Sequence, residues 1–215
     1  MKSFLLIGMG TFGHHLCRNL AKQKKNEIMI VDKRPEPLED LLSCVVSAKV
    51  GDCCDEKVLR TFDVSTFDAC FVCIGGDFQS SIQIASLLRE LGAKRVIAKA
   101  EQDVQAKFLL RNGADQIIFP ERDIAERIAV SESSNNIFDF IDLTDEYAIY
   151  EIKPLKKWIG KTLRELSFRA VYDMNILAAK REGKLLPLPT ADYVIKEEEH
   201  LMVVAKKQDI HRVTR

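Results

Sequence analysis

Three glycines near the start of the chain, Gly8, Gly10 and Gly13, stand in G-x-G-x-x-G spacing within Phe4–Gly13 (FLLIGMGTFG). An apolar run from Phe4 to Ile7 stops at the first of them, and a helix-like pattern from His14 to Lys24 follows the last. Strand, tight turn and helix in this order suit a phosphate. Gly8 permits the turn, Gly10 lets backbone come close to the anion, and Gly13 lets the helix pack against the strand. The helix N-terminus then offers free N–H groups and a partial positive charge, with Thr11 and Phe12 in the same phosphate-facing turn. A second apolar run, Ile28 to Val31, ends in Asp32. That is about 20 residues past the third glycine, where a carboxylate can accept from ribose hydroxyls. The two signals together predict a nucleotide site. Asp32 also repels a 2′-phosphate, which disfavours NADP, although Lys33 and Arg34 follow it immediately and soften that exclusion.

Other chemistry-bearing residues recur where apolar runs end. Asp52, after Gly51, can reach adenine or ribose, or cap a helix; Cys53 follows it. Ile74, Gly75 and Gly76 close another run. Lys99 can neutralise phosphate or form a surface ion pair. Glu121 can help hold a cation such as Mg²⁺ or Ca²⁺ against phosphates, or favour a helix dipole from its first turn. The six cysteines (17, 44, 53, 54, 70 and 73) all lie in the first third or so of the chain. Cys70 and Cys73 have redox-pair spacing but sit inside the apolar stretch Ala69–Ile74, where residues three apart on a strand face opposite ways. They are expected to be buried. His14, His15, His200 and His211 show no metal-ligand spacing with cysteine. His14 and His15 open the helix after the glycines, where one could touch phosphate, and the helix surface is their expected place.

The elements that must position these residues alternate. Strands are expected at Ser3–Ile7, up to Asp32, and at Val45–Val50, Phe67–Ile74, Arg95–Ala100 and Gln116–Phe119. Helices are expected at Gly13–Lys24, Leu38–Leu42, Lys57–Phe62, Ser80–Leu91, Val104–Asn112 and from Glu121 to about Ser133. Strands separated by helices imply right-handed crossovers and a mainly parallel, doubly wound sheet, with ligands at the carboxyl ends of its strands. The pattern then changes. Residues 131–136 (SESSNN) are polar, and 137–143 are apolar at alternate positions, which suits a hinge, a dimer contact or a linker with a strand. Tyr147–Ile152, Met174–Arg181 and Leu201–Ala205 read as strands, Lys161–Leu166 as a short helix, and Leu185–Pro189 as an edge segment where proline is tolerated. The expected division is 1–133, a nucleotide-binding α/β domain; 134–146, a hinge or crossover; and 147–215, a small α+β domain.

Composition narrows the function. The 215 residues carry 32 Lys and Arg against 32 Asp and Glu, so no basic field argues for nucleic acid. No apolar run approaches the length of a membrane helix. The chain enters its first strand directly, so no signal peptide is expected and the protein reads as cytoplasmic.

In their order these motifs resemble the RCK (regulator of potassium conductance) proteins, the TrkA/KtrA-type cytosolic subunits of bacterial potassium uptake systems. The resemblance rests on the glycine fingerprint, Asp32, Gly51-Asp52, the I-G-G at 74–76, Asn112–Asp115 and Pro120–Asp123. It extends to Phe140–Tyr147, Ile159–Leu166 and Asn175–Gly183. It implies a Rossmann-like N-domain, a small C-domain and a regulator rather than an enzyme. It implies ATP, ADP or NAD(H) bound in the N-domain at Gly8, Gly10, Thr11, Phe12, Gly13, Asp32, Lys33, Asp52, Cys53, Ile74, Gly75, Lys99 and Glu121. It further implies homodimers assembled into an octameric ring beneath a membrane potassium channel or transporter, with no nucleic-acid partner. Some members bind cyclic di-AMP in the C-domain, and by position that pocket would involve Trp158, Ile159, Arg169, Asn175, Ile176 and Pro189. Thr11 stands where KtrA-type members often carry an arginine that reaches a neighbour's γ-phosphate. Asn175 stands where a histidine is common in cyclic-di-AMP binders, and the family's E-G-D turn is here Glu198-Glu199-His200. The competing reading is a small NAD(H)-dependent oxidoreductase. It lacks a Tyr-x-x-x-Lys pair, since none of the four tyrosines has a lysine four residues on.

Overall fold

Six short strands of the first part assemble into one sheet in the computed structural model, which describes residues 1–210; His211 lies outside the described residues. The strands are β1 (Lys2–Ile7), β2 (Asn26–Asp32), β3 (Ser47–Val50), β4 (Ala69–Val72), β5 (Val96–Lys99) and β6 (Gln116–Ile118), in the order β3-β2-β1-β4-β5-β6. Every pairing is parallel. The strand order reverses between β1 and β4, so a crevice opens at the carboxyl ends there. The connecting helices are α1 (Thr11–Ala21), α2 (Glu56–Arg60), α3 (Phe78–Glu90) and α4 (Asp103–Arg111), and α5 (Pro120–Ser133) follows β6. The stretch expected as a short α-helix at Leu38–Leu42 is a 3₁₀ helix over Glu36–Cys44, with proline at its start. The third and fourth strands are shorter than expected. A 3₁₀ turn at Val64–Thr66 takes up the approach to β4.

Apolar residues cover both faces of this sheet, as a parallel sheet requires. One layer gathers Leu5, Ile7, Val72 and Val96 with Ile84, Leu88 and Leu109 from the helices. The other gathers Leu6, Ile28 and Ile30 with Cys17 of α1 and Leu38 and Leu41 of the 3₁₀ helix. Cys70, in β4, and Cys73, just past its end, are buried free thiols, and their burial is as expected. Burial pushes both up to about 12, so neither ionises at neutral pH.

The chain divides into two compact units, Met1–Arg122 and Asp123–Arg215. The second is built on a five-stranded sheet in the order β10-β9-β11-β8-β7. Its strands are β7 (Ile137–Asp142), β8 (Tyr147–Ile152), β9 (Asn175–Arg181), β10 (Lys184–Pro187) and β11 (His200–Lys206), and every pairing is antiparallel. The alternating segment after the polar stretch is thus β7, an edge strand of this sheet, and β10 is the proline-bearing opposite edge. Two short helices complete the unit, α6 (Leu163–Leu166) and α7 (Phe168–Tyr172). Thr162 and Glu165 form a reciprocal capping box at the start of α6. Trp158 is fully buried in the core of the unit, with Phe168 and Met174.

One ion cluster on this sheet has a measurable pH consequence. Glu151 accepts from the Lys180 ammonium at 2.9 Å and meets His200 Nδ1 at 2.7 Å. Burial would raise its carboxyl, but Lys180 and His200 outweigh that and hold it below the ordinary carboxylate range. A carboxyl depressed in the folded state stabilises above its unfolded pKa and loses that contribution as pH falls through the folded value. Glu151→Gln is therefore expected to melt below the wild type at about pH 7, with the gap closing once pH drops below about 4. Parallel thermal melts across this range check it.

Candidate nucleotide site

The β1–α1 turn sits at the point where the strand order reverses. Gly8 takes φ +91°, open to glycine but strained for other residues, and a Cβ there would lie 2.7 Å from Ile74 Cγ1. Its N–H donates to the Val31 carbonyl at 2.9 Å, tying the turn to the end of β2. Gly13 is more constrained. A Cβ there would lie 2.1 Å from the Gly8 carbonyl oxygen and 3.2 Å from Cys73 Cβ, so only glycine lets α1 start this close to the strand. Gly10 is the N-cap of α1, with no side-chain cap and no acid in the first turn. A Cβ at Gly10 would meet no protein atom within 4 Å. Thr11, exposed, and Phe12, half-buried, open the helix. The N-terminus of α1 thus keeps its donors and its positive end turned toward open space.

Asp32 organises the turn as well as facing the crevice. Its Oδ2 accepts from the Met9 N–H at 2.7 Å and its Oδ1 from the Arg34 N–H at 3.0 Å. Each carboxylate oxygen keeps a second lone pair for an outside donor such as a ribose hydroxyl. Beside it is a cavity of about 320 Å³. Ile7, Ile74, Ile84 and Cys53 supply apolar walls, and Asp32, Lys33, Arg34, Asp77 and Ser80 supply polar groups. Apolar walls with a few placed polar groups are what a flat base and its sugar need.

The structure brings Gly8, Asp32, Lys33, Cys53 and Ile74 together at this cavity. Asp52 stands just outside it. Its Oδ1 accepts from the Cys54 N–H at 2.9 Å, and its Oδ2 lies 3.4 Å from Lys33 Nζ. The helix cap open to Asp52 belongs instead to Asp55, which accepts from the Lys57 N–H. Cys53 is buried and its thiol is pushed up to about 12, chiefly by burial, so it lines the cavity as an apolar group. Glu121 falls in a different hollow, with Glu101, Phe119 and Arg122, and Lys99 pairs with it. There Lys99 Nζ, nearly buried, donates to Glu121 Oε1 at 2.6 Å and lies 3.8 Å from Glu101 Oε1. Lys99 holds the Glu121 carboxyl below its ordinary range. Gly75 abuts this pair: a Cβ there would lie 3.1 Å from Lys99 Cε and 2.2 Å from Glu101 Oε1. Among the described residues no three His, Cys, Asp or Glu converge on one point. Glu121 is thus a carboxylate paired with the Lys99 ammonium.

Five cavity residues escaped the sequence reading as site residues: Ile7, Arg34, Asp77, Ser80 and Ile84. The signal for two of them was present. Asp77 caps α3 by accepting from the Ser80 N–H at 3.0 Å and the Ser80 hydroxyl at 2.5 Å. A D-x-x-S cap directly after I-G-G brings both to the strand end. His14, expected on the helix surface, is bonded through Nε2 to Asp40 at 2.8 Å.

The six residues expected at a second pocket separate. Arg169, Asn175 and Ile176 line one hollow of about 400 Å³ with Arg164, Ser167 and Phe168. Trp158 does not line it. It is a core residue whose Nε1–H donates to the Tyr172 hydroxyl at 2.9 Å, so its one polar atom is already used. Ile159 and Pro189 are half-buried and lie outside that lining.

Two family models match the chain. The TrkA-N domain model matches residues 4–120 and the TrkA-C domain model residues 147–215. The chain is 37% identical to the Ktr system potassium uptake protein C of Bacillus subtilis (strain 168), over 98% of this chain and 95% of that protein. Among solved structures it is similar to the GsuK RCK domain, at TM-score 0.70 and 18% identity, covering 99% of this chain and 47% of that one. It is also similar to the GsuK channel bound to NAD, at TM-score 0.68 and 19% identity, covering 97% of this chain and 38% of that one. This chain therefore spans less than half of those two, and at such identities the likeness is one of fold. One family model covers more than half of the sequence and a second most of the remainder, and the chain belongs to the TrkA-N/TrkA-C domain family, together with the Ktr system potassium uptake proteins.

Proposed function

We propose that the protein is the nucleotide-binding regulatory subunit of a potassium uptake system. The observation that carries this reading is the crevice at the strand-order reversal, where an uncapped helix N-terminus and Asp32 flank one cavity, in a chain alike from end to end to a Ktr uptake protein. The α1 N-terminus would hold phosphates, Asp32 a ribose, and the apolar walls an adenine. ATP or ADP and NAD(H) share these parts. A divalent cation would need phosphate oxygens in addition to Glu121. No helix among the described residues is long and apolar enough to cross a membrane, so on this reading the ion path belongs to a membrane partner and this subunit acts at its cytoplasmic face. Copies of the chain would form dimers and a ring, and nucleotide would bias that ring only by its difference in affinity between two ring states. The oxidoreductase alternative would need a general acid or base beside the nicotinamide, and the Tyr-x-x-x-Lys pair that could supply one is absent from the sequence.

Regulation is tested in cells that lack their own potassium uptake and carry a Ktr-type membrane subunit. Growth at low potassium is expected to rise on adding this chain, and unchanged growth would refute the regulatory role. A second ligand is proposed for the hollow at Arg169, Asn175 and Ile176, where two arginines suit the phosphates of cyclic di-AMP. Cyclic di-AMP is expected to raise the melting temperature of the wild type and to leave Arg169→Ala unmoved in a thermal-shift assay.

A further inference from the structure

A further hollow, of about 340 Å³, lies on the β9–β10 hairpin and is chemically unlike those above. β9 and β10 are joined by Glu182 and Gly183, both with left-handed φ, the geometry of a tight two-residue hairpin turn. Arg181 and Lys184 are directly opposite across the two strands, as are Ala179 and Leu186. All four line the hollow, and Tyr193, Lys196 and Glu199 close it from the other side.

The charge arrangement is the anomaly. Like charges directly opposite on an antiparallel pair are destabilising, yet Arg181 and Lys184 are such a pair and Lys196 adds a third cation. Among the described residues none of the three cationic groups is paired with a carboxylate. Some other cations of the same unit do find acids: Arg164 with Asp192 at 3.0 Å, Lys180 with Glu151 at 2.9 Å, Lys207 with Asp142 at 2.8 Å. Two acids share the hollow. Glu182 is at its rim, and Glu199 is 1% exposed with both oxygens engaged. The Tyr193 hydroxyl donates to Glu199 Oε2 at 2.6 Å and the Lys196 N–H to Oε1 at 2.9 Å. Glu199 is therefore spent on holding the wall and does not pair with the cations. Three cations against two acids leave a positive surplus around a concave, partly apolar floor.

We propose that this hollow is an anion site for a small molecule bearing a phosphoryl group. The Arg181 fork can take two phosphate oxygens side by side, and Lys184 and Lys196 can act as point charges on the others. The floor of Ala179, Leu185 and Leu186 would receive the apolar part. The site is separate from both pockets assigned above and does not depend on their ligands.

Calorimetric titration of inorganic pyrophosphate into the full chain at fixed ionic strength tests this, with wild type and Arg181→Ala/Lys184→Ala in parallel. The phosphate-facing turn of α1 is common to both, so the difference between the isotherms reports the hairpin hollow. The wild type is expected to show a saturable component that the double variant binds on the order of tenfold more weakly or loses. Superimposable isotherms, or no saturable binding in either, would overturn the proposal. Lys184→Glu is the second arm. It turns the like-charge pair into an opposite-charge pair, so it should melt no lower than the wild type without pyrophosphate and lose the hollow's response to it. A Lys184→Glu protein that keeps the wild-type isotherm would equally overturn the site.

Discussion

Gly13→Ala is expected to disable the nucleotide site and destabilise the first unit, while Gly10→Ala disables the site alone. At Gly13 the added methyl would lie 2.1 Å from the Gly8 carbonyl oxygen, a backbone atom with little room to yield. That peptide is tied down, with the Gly8 N–H bound to Val31 and the Met9 N–H bound to Asp32. Relief therefore requires α1 to move off β1, and overpacking of this kind costs about 1–3 kcal/mol or more. The same displacement turns the α1 N–H groups away from any phosphate. At Gly10, φ is −66° and ψ −175°, both open to alanine, and no protein atom lies within 4 Å of the new methyl. Gly10→Ala should melt like the wild type, to within about 0.5 kcal/mol, yet bind nucleotide much more weakly. Thermal melts with and without ADP separate the two outcomes. Equal nucleotide stabilisation of wild type and Gly10→Ala would show that no ligand backbone approach occurs there.

Trp158→Ala should produce the largest loss of stability in the second unit. Trp158 is fully buried, and its ring meets Phe168 at 4.7 Å and Tyr172 at 5.2 Å between centroids, both edge-on. Truncating a buried aromatic costs about 3–5 kcal/mol, and the Tyr172 hydroxyl also loses the donor it accepts from. Trp158→Phe keeps most of the packing and removes the N–H, so it should cost only about 1–2 kcal/mol. Chemical denaturation of the two variants, followed by far-ultraviolet circular dichroism, gives both values. The order is the informative part. If Trp158→Phe were as damaging as Trp158→Ala, the hydrogen bond rather than the ring packing would hold this core.

Residues that act through the backbone were the legible ones. Glycine spacing reports where backbone must turn or come close, and Gly8 and Gly13 are constrained for those reasons. Asp32 was legible because a strand end fixes where its side chain goes. Its bonds to the Met9 and Arg34 N–H groups were not, since they depend on the turn itself. Trp158 shows the limit on the other side. An aromatic ring serves a ligand wall or a core equally well, and only the packing of Phe168 and Tyr172 around it decides. Those two residues bound α7, a five-residue helix between left-handed Ser167 and Asp173, too short to leave a helical period in the sequence. Lys99 and Glu121 were both read as strand-end groups, and their mutual pairing follows from β5 and β6 being neighbours, which no local pattern states.

The central claim is that the crevice of the first unit binds an adenine nucleotide through the α1 turn and Asp32. Isothermal titration of ADP and of NAD⁺ into the wild type and Asp32→Ala tests it most directly. The wild type should bind at least one of them with one site per chain. Asp32→Ala should stay folded, less stable by about 1–3 kcal/mol for the two N–H groups left without their acceptor, and bind on the order of tenfold or more weakly. Folded wild-type protein that takes up neither ligand, or an Asp32→Ala protein with wild-type affinity, would contradict the account.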